Sequence, residues 1–135
     1  MTPPEHLTFL SPNTLPTIPG FSQIVKVTGG TIIYLSGQVA LNTSGQRVGR
    51  GDFAAQAEQV FENLKAALAA AGADFSHVVK LNTYLLDRVY LPVLRDVRDR
   101  FVNTQTPPAS TLVLVSGLAQ PDFLLEVEAI ASLSS

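Results

Sequence analysis

Apolar and polar positions alternate along this chain with two different periods. Between residues 53 and 71 the apolar side chains fall at Phe53, Ala57, Val60, Phe61, Leu64, Leu68 and Ala71, the three-to-four spacing of one helix face. Asp52 stands in front as a cap and Gly72 behind as a stop, so a long helix is predicted here. Its other face carries Gln56, Gln59, Glu62 and Asn63, which predicts a helix lying on a sheet with one side wet. A second helix is predicted from Pro92, a good first-turn residue, to Phe101. Leu94, Val97 and Phe101 share its apolar face, and Asp96 with Arg100 is read as an exposed i,i+4 pair.

Around these helices the period drops to two. Residues 23–28 and 31–38 are β-rich runs separated by Gly29-Gly30, which predicts a tight hairpin, because primed turns need positive φ. Residues 78–86, 110–115 and 124–132 read as further strands, with Pro107-Pro108 breaking the chain between helix and strand. The predicted order is β-β-α-β-α-β-β: an α+β domain spanning residues 1–135, with residues 1–18 a Pro-rich leader and both helices on one face of a mixed sheet. In the last strand Leu125, Val127, Ala129 and Ala131 point one way, toward the helices, and Leu124, Glu126, Glu128 and Ile130 the other. Val78, Lys80, Asn82, Tyr84 and Leu86 likewise share a side. A two-layer domain has nothing of its own to cover that second face, so copies packed sheet to sheet are expected.

Composition sharpens this expectation. Charged residues are 15% of the chain and hydrophobic ones 46%, against roughly a quarter charged in an average domain, which favours burial of surface between copies. The net charge of −2, with nine basic residues scattered along the chain, argues against nucleic acid as a partner. There is no cysteine, which removes disulfides, thiolate metal sites and thiol nucleophiles. The start, MTPPEHLTFLSP, lacks the basic end and apolar run of a secretory signal, and no stretch is apolar enough to span a bilayer, so a cytoplasmic location is expected. His6, in the leader, and His77, between helix and strand, have no carboxylate or second histidine at metal-binding spacing and are read as surface residues.

Ser36-Gly37-Gln38, the helix segment Ala-Glu-Gln-Val-Phe-Glu-Asn-Leu-Lys-Ala at 57–66, Ala71-Gly72, the strand at 78–87, Pro107-Pro-Ala-Ser-Thr111 and Leu125-Glu-Val-Glu-Ala-Ile-Ala131 together resemble the reactive-intermediate-deaminase (Rid, or YjgF) family, often labelled endoribonuclease L-PSP. The resemblance runs from about Pro19 to Ala131 and implies a chorismate-mutase-like fold, a homotrimer and a small-molecule cleft at each subunit interface, with no cofactor or metal. Deaminating relatives hydrolyse 2-imino or enamine acids to 2-keto acids and ammonia. In them an arginine on the penultimate strand grips the substrate carboxylate, and a glutamate on the last strand helps place water.

That glutamate falls on Glu126, which the resemblance makes the catalytic acid, and Phe21, Ser36, Gly37, Tyr84, Arg95, Ala109 and Thr111 become the substrate-binding candidates. Two departures stand out. Ala109 replaces the carboxylate-binding arginine, and Phe21 replaces a tyrosine of the cleft. Arg95 falls where many members carry an asparagine on the cleft side of the second helix, and is expected to supply a displaced positive charge. Set against these readings, Glu126 is also explained as a solvated strand residue paired with a neighbour such as Lys80, and Gly37 as a site of close backbone approach or a bulge. Ser36 has no histidine or lysine at a spacing that would make it a nucleophile. The expected function is a Rid-type hydrolase of reactive imines or enamines. A non-catalytic metabolite-binding protein of the same fold ranks second, and an endoribonuclease or translation inhibitor third.

Overall fold

The computed structural model describes residues 2–135. Strands β1 (Leu7–Leu10) and β2 (Ile24–Val27) form an antiparallel two-stranded ribbon. The main sheet holds β3 (Thr31–Gln38), β4 (Val78–Leu85), β5 (Ala109–Leu114) and β6 (Leu125–Leu133) in the order β3-β6-β4-β5. β6 runs antiparallel to both its neighbours, and β5 runs parallel to β4, so the sheet is mixed. Helices α1 (Phe53–Ala70) and α2 (Leu91–Asp99) share one core with the inward residues of the sheet.

Local signals place α1 as expected. The Asp52 carboxylate accepts the Ala55 N–H at 3.1 Å, and the chain leaves the helix through Gly72 at φ +79°, a conformation that costs glycine little. Phe53, Ala57, Val60, Phe61, Leu64 and Leu68 are all buried, whereas Ala71 is exposed. Phe61 meets the rings of Phe101 and Phe75 at centroid distances of 5.5 and 6.3 Å, joining α1 to the turn before β4 and to the turn after α2, which ends at Asp99, short of the expected Phe101. On β6 the alternation also holds: Leu125, Val127, Ala129 and Ala131 are buried while Glu126, Glu128 and Ile130 lie half-buried on the open face.

Other expectations give way. Gly29 and Gly30 do turn the chain with positive φ, but they do not close a hairpin. β2 pairs with β1, a strand inside the stretch read as leader, while β3 pairs with β6. The turn instead carries the chain from ribbon to sheet, and a Cβ on Gly30 would lie 2.1 Å from the Leu133 carbonyl oxygen. His6 belongs to this ribbon corner, its Nε2 lying 3.0 Å from Ser132 Oγ. Val78 is buried with the helix-facing residues because the β4–β6 register shifts between Val78 and Lys80, and Leu86 falls outside the strand. Arg100 pairs with Glu58 on α1 at 2.6 Å, not with Asp96.

The polar side of α1 is not simply wet. Gln56 is 1% exposed. Its amide donates to the carbonyls of Gly49 (3.0 Å) and Asp122 (2.9 Å) and accepts from the Leu124 N–H (2.9 Å). Asn63 donates to the carbonyls of Val39 and Leu41 at 3.1 and 2.9 Å. These side chains replace water for the loops after β3 and before β6, whose backbone groups would otherwise be buried unpaired. Gln56→Leu is expected to destabilise the fold by about 3 kcal/mol or more in urea titration, since three buried backbone partners lose their bonds together.

The turn before β4, a 3₁₀ segment at Phe75–His77, is capped by Asp74, whose carboxylate accepts the Ser76 N–H at 2.9 Å and the Ser76 hydroxyl. The Asp74 N–H in turn donates to His77 Nδ1 at 3.1 Å, so His77 is part of the cap. The Ser76 hydroxyl bond, helped by the Ser76 amide and His77 and opposed by burial, holds the Asp74 carboxyl below its usual 3.8. A carboxyl that keeps its charge to lower pH in the folded state stabilises it above the unfolded value and loses that contribution as pH falls through the folded one. Asp74→Ala is therefore expected to lower the urea midpoint at neutral pH, with the gap to wild type closing as pH falls below 3.8 and through the lower folded-state value.

Candidate functional site

The open face of the sheet carries the candidate acid. Between Leu35↔Ala129 and Gln38↔Val127 the β3–β6 register slips, so β3 bulges at Ser36 and Gly37. A Cβ on Gly37 would lie 2.0 Å from Glu126 Oε2, so the carboxylate fills space that only glycine leaves. Ser36 beside it is exposed. Across the strand, Tyr84 is the ladder partner of Glu126, and its hydroxyl donates to Glu128 Oε1. That bond, with desolvation and the charges of Glu128 and Glu126, pushes the Tyr84 phenol above its usual value, so it stays a donor at neutral pH. Glu128 is thereby engaged. Glu126, half-buried, has no hydrogen bond or ion pair among the described residues.

The remaining sheet-face candidates gather elsewhere. Lys80 is the ladder partner of Ala109 and Asn82 that of Thr111. The Lys80 ammonium donates to Thr111 Oγ1 at 2.8 Å, so Lys80 does not pair with Glu126. Lys80 lies opposite Ile130, four residues along β6 from Glu126, which is about 13 Å at strand rise. Two strand spacings further put Ala109 about 15 Å from Glu126 of the same chain. One small molecule touches both positions only if they come from different copies.

Phe21 and Arg95 lie on the other side of β5. They line a groove of about 610 Å³ with Pro19, Leu94, Ser110 and Leu112. Ser110 and Leu112 alternate with Ala109 and Thr111, so within one chain Arg95 is not brought to the Ala109 position or to Glu126. Phe21 is nevertheless close in chain to the start of β5, because Ser22 bridges to Ala109 and its hydroxyl donates to the Pro107 carbonyl at 2.6 Å.

Sequence reasoning passed over two features. Lys80 and Asn82 flank Ala109 and Thr111, and their signal was present in the alternation that put them on the open face. Arg47 and Arg50 converge on Asp122 (3.4 and 2.9 Å), tying the loop before α1 to the loop before β6, and nothing in their spacing announces a partner so far along the chain.

The profile of the family described as Endoribonuclease L-PSP matches residues 12–133. The chain belongs to that family. Its relatives include the protein DfrA of Myxococcus xanthus, 43% identical over 82% of this chain and 83% of that protein. A 2-iminobutanoate/2-iminopropanoate deaminase of Dermatophagoides farinae is 36% identical over 68% of this chain and 70% of the other. Among solved structures, YyfB of Yersinia pestis, described as a Rid-family protein of unknown function, superposes with TM-score 0.88 at 36% identity, covering 95% of this chain and 99% of that one. The Rid resemblance and the α+β fold with two helices on one sheet face therefore stand. No helix among the described residues of this Rid-family chain is long and apolar enough to cross a membrane.

The contact between Gly37 and Glu126 is directly testable. Gly37→Ala is expected to displace the Glu126 carboxylate while the far-ultraviolet circular dichroism stays unchanged. The check is the ¹³C carboxyl resonance of Glu126, assigned by its loss in Glu126→Gln.

Proposed function

We propose that this chain hydrolyses reactive 2-imino or enamine acids to 2-keto acids and ammonia, in a cleft formed where copies of the chain meet, in a homotrimer. The observation that carries this reading is Glu126, a half-buried carboxylate without a partner among the described residues, seated against Gly37 on a sheet face the chain itself leaves open. An imine carbon is already electrophilic, so the work left to the protein is to place water and move protons. Starting from the protonated imine, Glu126 takes a proton as the water oxygen bonds to the imine carbon and the C=N electron pair moves to nitrogen, giving a neutral carbinolamine. It then returns that proton to nitrogen, the C–N bond breaks as ammonia leaves, and the hydroxyl gives its proton back to Glu126 as the C=O forms. The Tyr84 hydroxyl keeps Glu128 occupied, which leaves Glu126 as the free base. Ser36 offers a hydroxyl beside it. Ala109 and Thr111, on the open face, belong to the half of the cleft that a neighbouring copy supplies, while Phe21 and Arg95 line the separate groove behind β5.

A binding protein without turnover is the second reading, and Ala109 favours it, because a methyl cannot replace a guanidinium that pairs with a carboxylate. An endoribonuclease is the weakest reading. The net charge of −2 and the two glutamates on the open face give a phosphate backbone little to hold.

The test is release of ammonia and keto acid from freshly generated 2-iminobutanoate. Wild type is expected to exceed the buffer rate, and Glu126→Gln to lose about 100-fold or more in kcat/KM. An inactive wild type together with an active Ala109→Arg would replace hydrolysis by the binding reading.

A further inference from the structure

Among the described residues, Arg47 and Arg50 are paired with Asp122, Arg98 with Asp99 and Arg100 with Glu58. Lys26, Lys65, Arg88 and Arg95 have no carboxylate partner but are exposed, where water solvates them. Lys80 is the exception. It is half-buried on the open sheet face, and its ammonium meets a single hydroxyl, that of Thr111 at 2.8 Å. Two glutamates stand on the same face and neither reaches it, so no carboxylate among the described residues neutralises this ammonium. An ammonium has three donors and Thr111 takes one.

We infer that Lys80 is the anchor for the ligand's carboxylate, with Thr111 orienting its ammonium. The surroundings fit such a ligand. Ala109, the ladder partner of Lys80, contributes only a methyl and leaves room beside the ammonium. Asn82, ladder partner of Thr111, faces the same side with an amide that makes no hydrogen bond among the described residues, and it supplies a donor and an acceptor for the group next to the carboxylate. The class of ligand is a small acid with a polar substituent at the neighbouring carbon, as in 2-oxo and 2-imino acids. A lysine grips as a point charge and not as a planar fork, so this anchor tolerates a wider range of carboxylate orientations than an arginine would. The inference rests on the proposed cleft between copies, because Lys80 lies about 13 Å along the sheet from Glu126 of its own chain.

The experiment is calorimetric titration of the full chain with 2-oxobutanoate and with its methyl ester, which lacks the charge. Wild type is expected to prefer the acid, and Lys80→Met to weaken the acid by about 10- to 100-fold while leaving the ester unchanged. Lys80→Arg is expected to keep most of the affinity, and Ala109→Arg to restore it in the Lys80→Met background. A purely structural role for Lys80 would shift acid and ester together, and that result would overturn the inference. So would loss of acid binding in Arg95→Ala with none in Lys80→Met, or a wild type that binds neither compound. Turnover is read separately: acid binding that depends on Lys80, without imine hydrolysis, keeps the anchor and removes the hydrolase.

Discussion

Hydrogen-bond ladders along β6, β4 and β5 set Glu126 opposite Tyr84 and Lys80 beside Ala109. Once those pairings are made, the positions of all polar side chains on the open face follow, because a strand offers alternate residues to one side and advances by a fixed rise. Glu126 and Lys80 stand on the two central strands, β6 and β4, four residues apart along the ladder. No rotamer change closes a gap of that size. A small ligand touching both would do so across two copies of the chain.

Holding that register fixed requires the back of the sheet to be rigid. The aromatic contacts of Phe61 lock α1 onto the turn before β4 and the turn after α2. Gln56 and Asn63 then fasten the flanking loops to α1 by main-chain hydrogen bonds. The bulge in β3 is the one place where the ladder yields, and it yields where the Glu126 carboxylate needs space. Packing energy and site geometry are coupled there: the glycine that weakens the strand is the residue that admits the acid.

Much of this was legible from residue order. The period of α1, the cap at Asp52, the stop at Gly72 and the two-faced β6 are local patterns, and local patterns are decided by nearby chain. What escaped depended on partners far along the sequence. Leu7–Leu10 is short and proline-flanked, and becomes a strand only because β2 lies against it. Gly29-Gly30 has the chemistry of a hairpin turn, yet β2 pairs with β1 and β3 with β6. Gln56 has the polarity of a surface residue and is buried because two loops need its amide. Arg95 lay at a plausible position in the chain, but a single-residue alternation on β5 separates its groove from Ala109. The pairing of Lys80 with Thr111 needs the parallel β4–β5 register, which no linear pattern reveals.

An unneutralised ammonium toward one end of the open face and the Glu126 carboxylate toward the other make that face electrically polar in its own plane. Two such faces laid in the same sense bring like charge against like. Laid end for end, each presents its positive end to the other's negative end, and opposite charges meet. The arrangement that steers a small anion would thus also choose how one copy of the chain addresses the next.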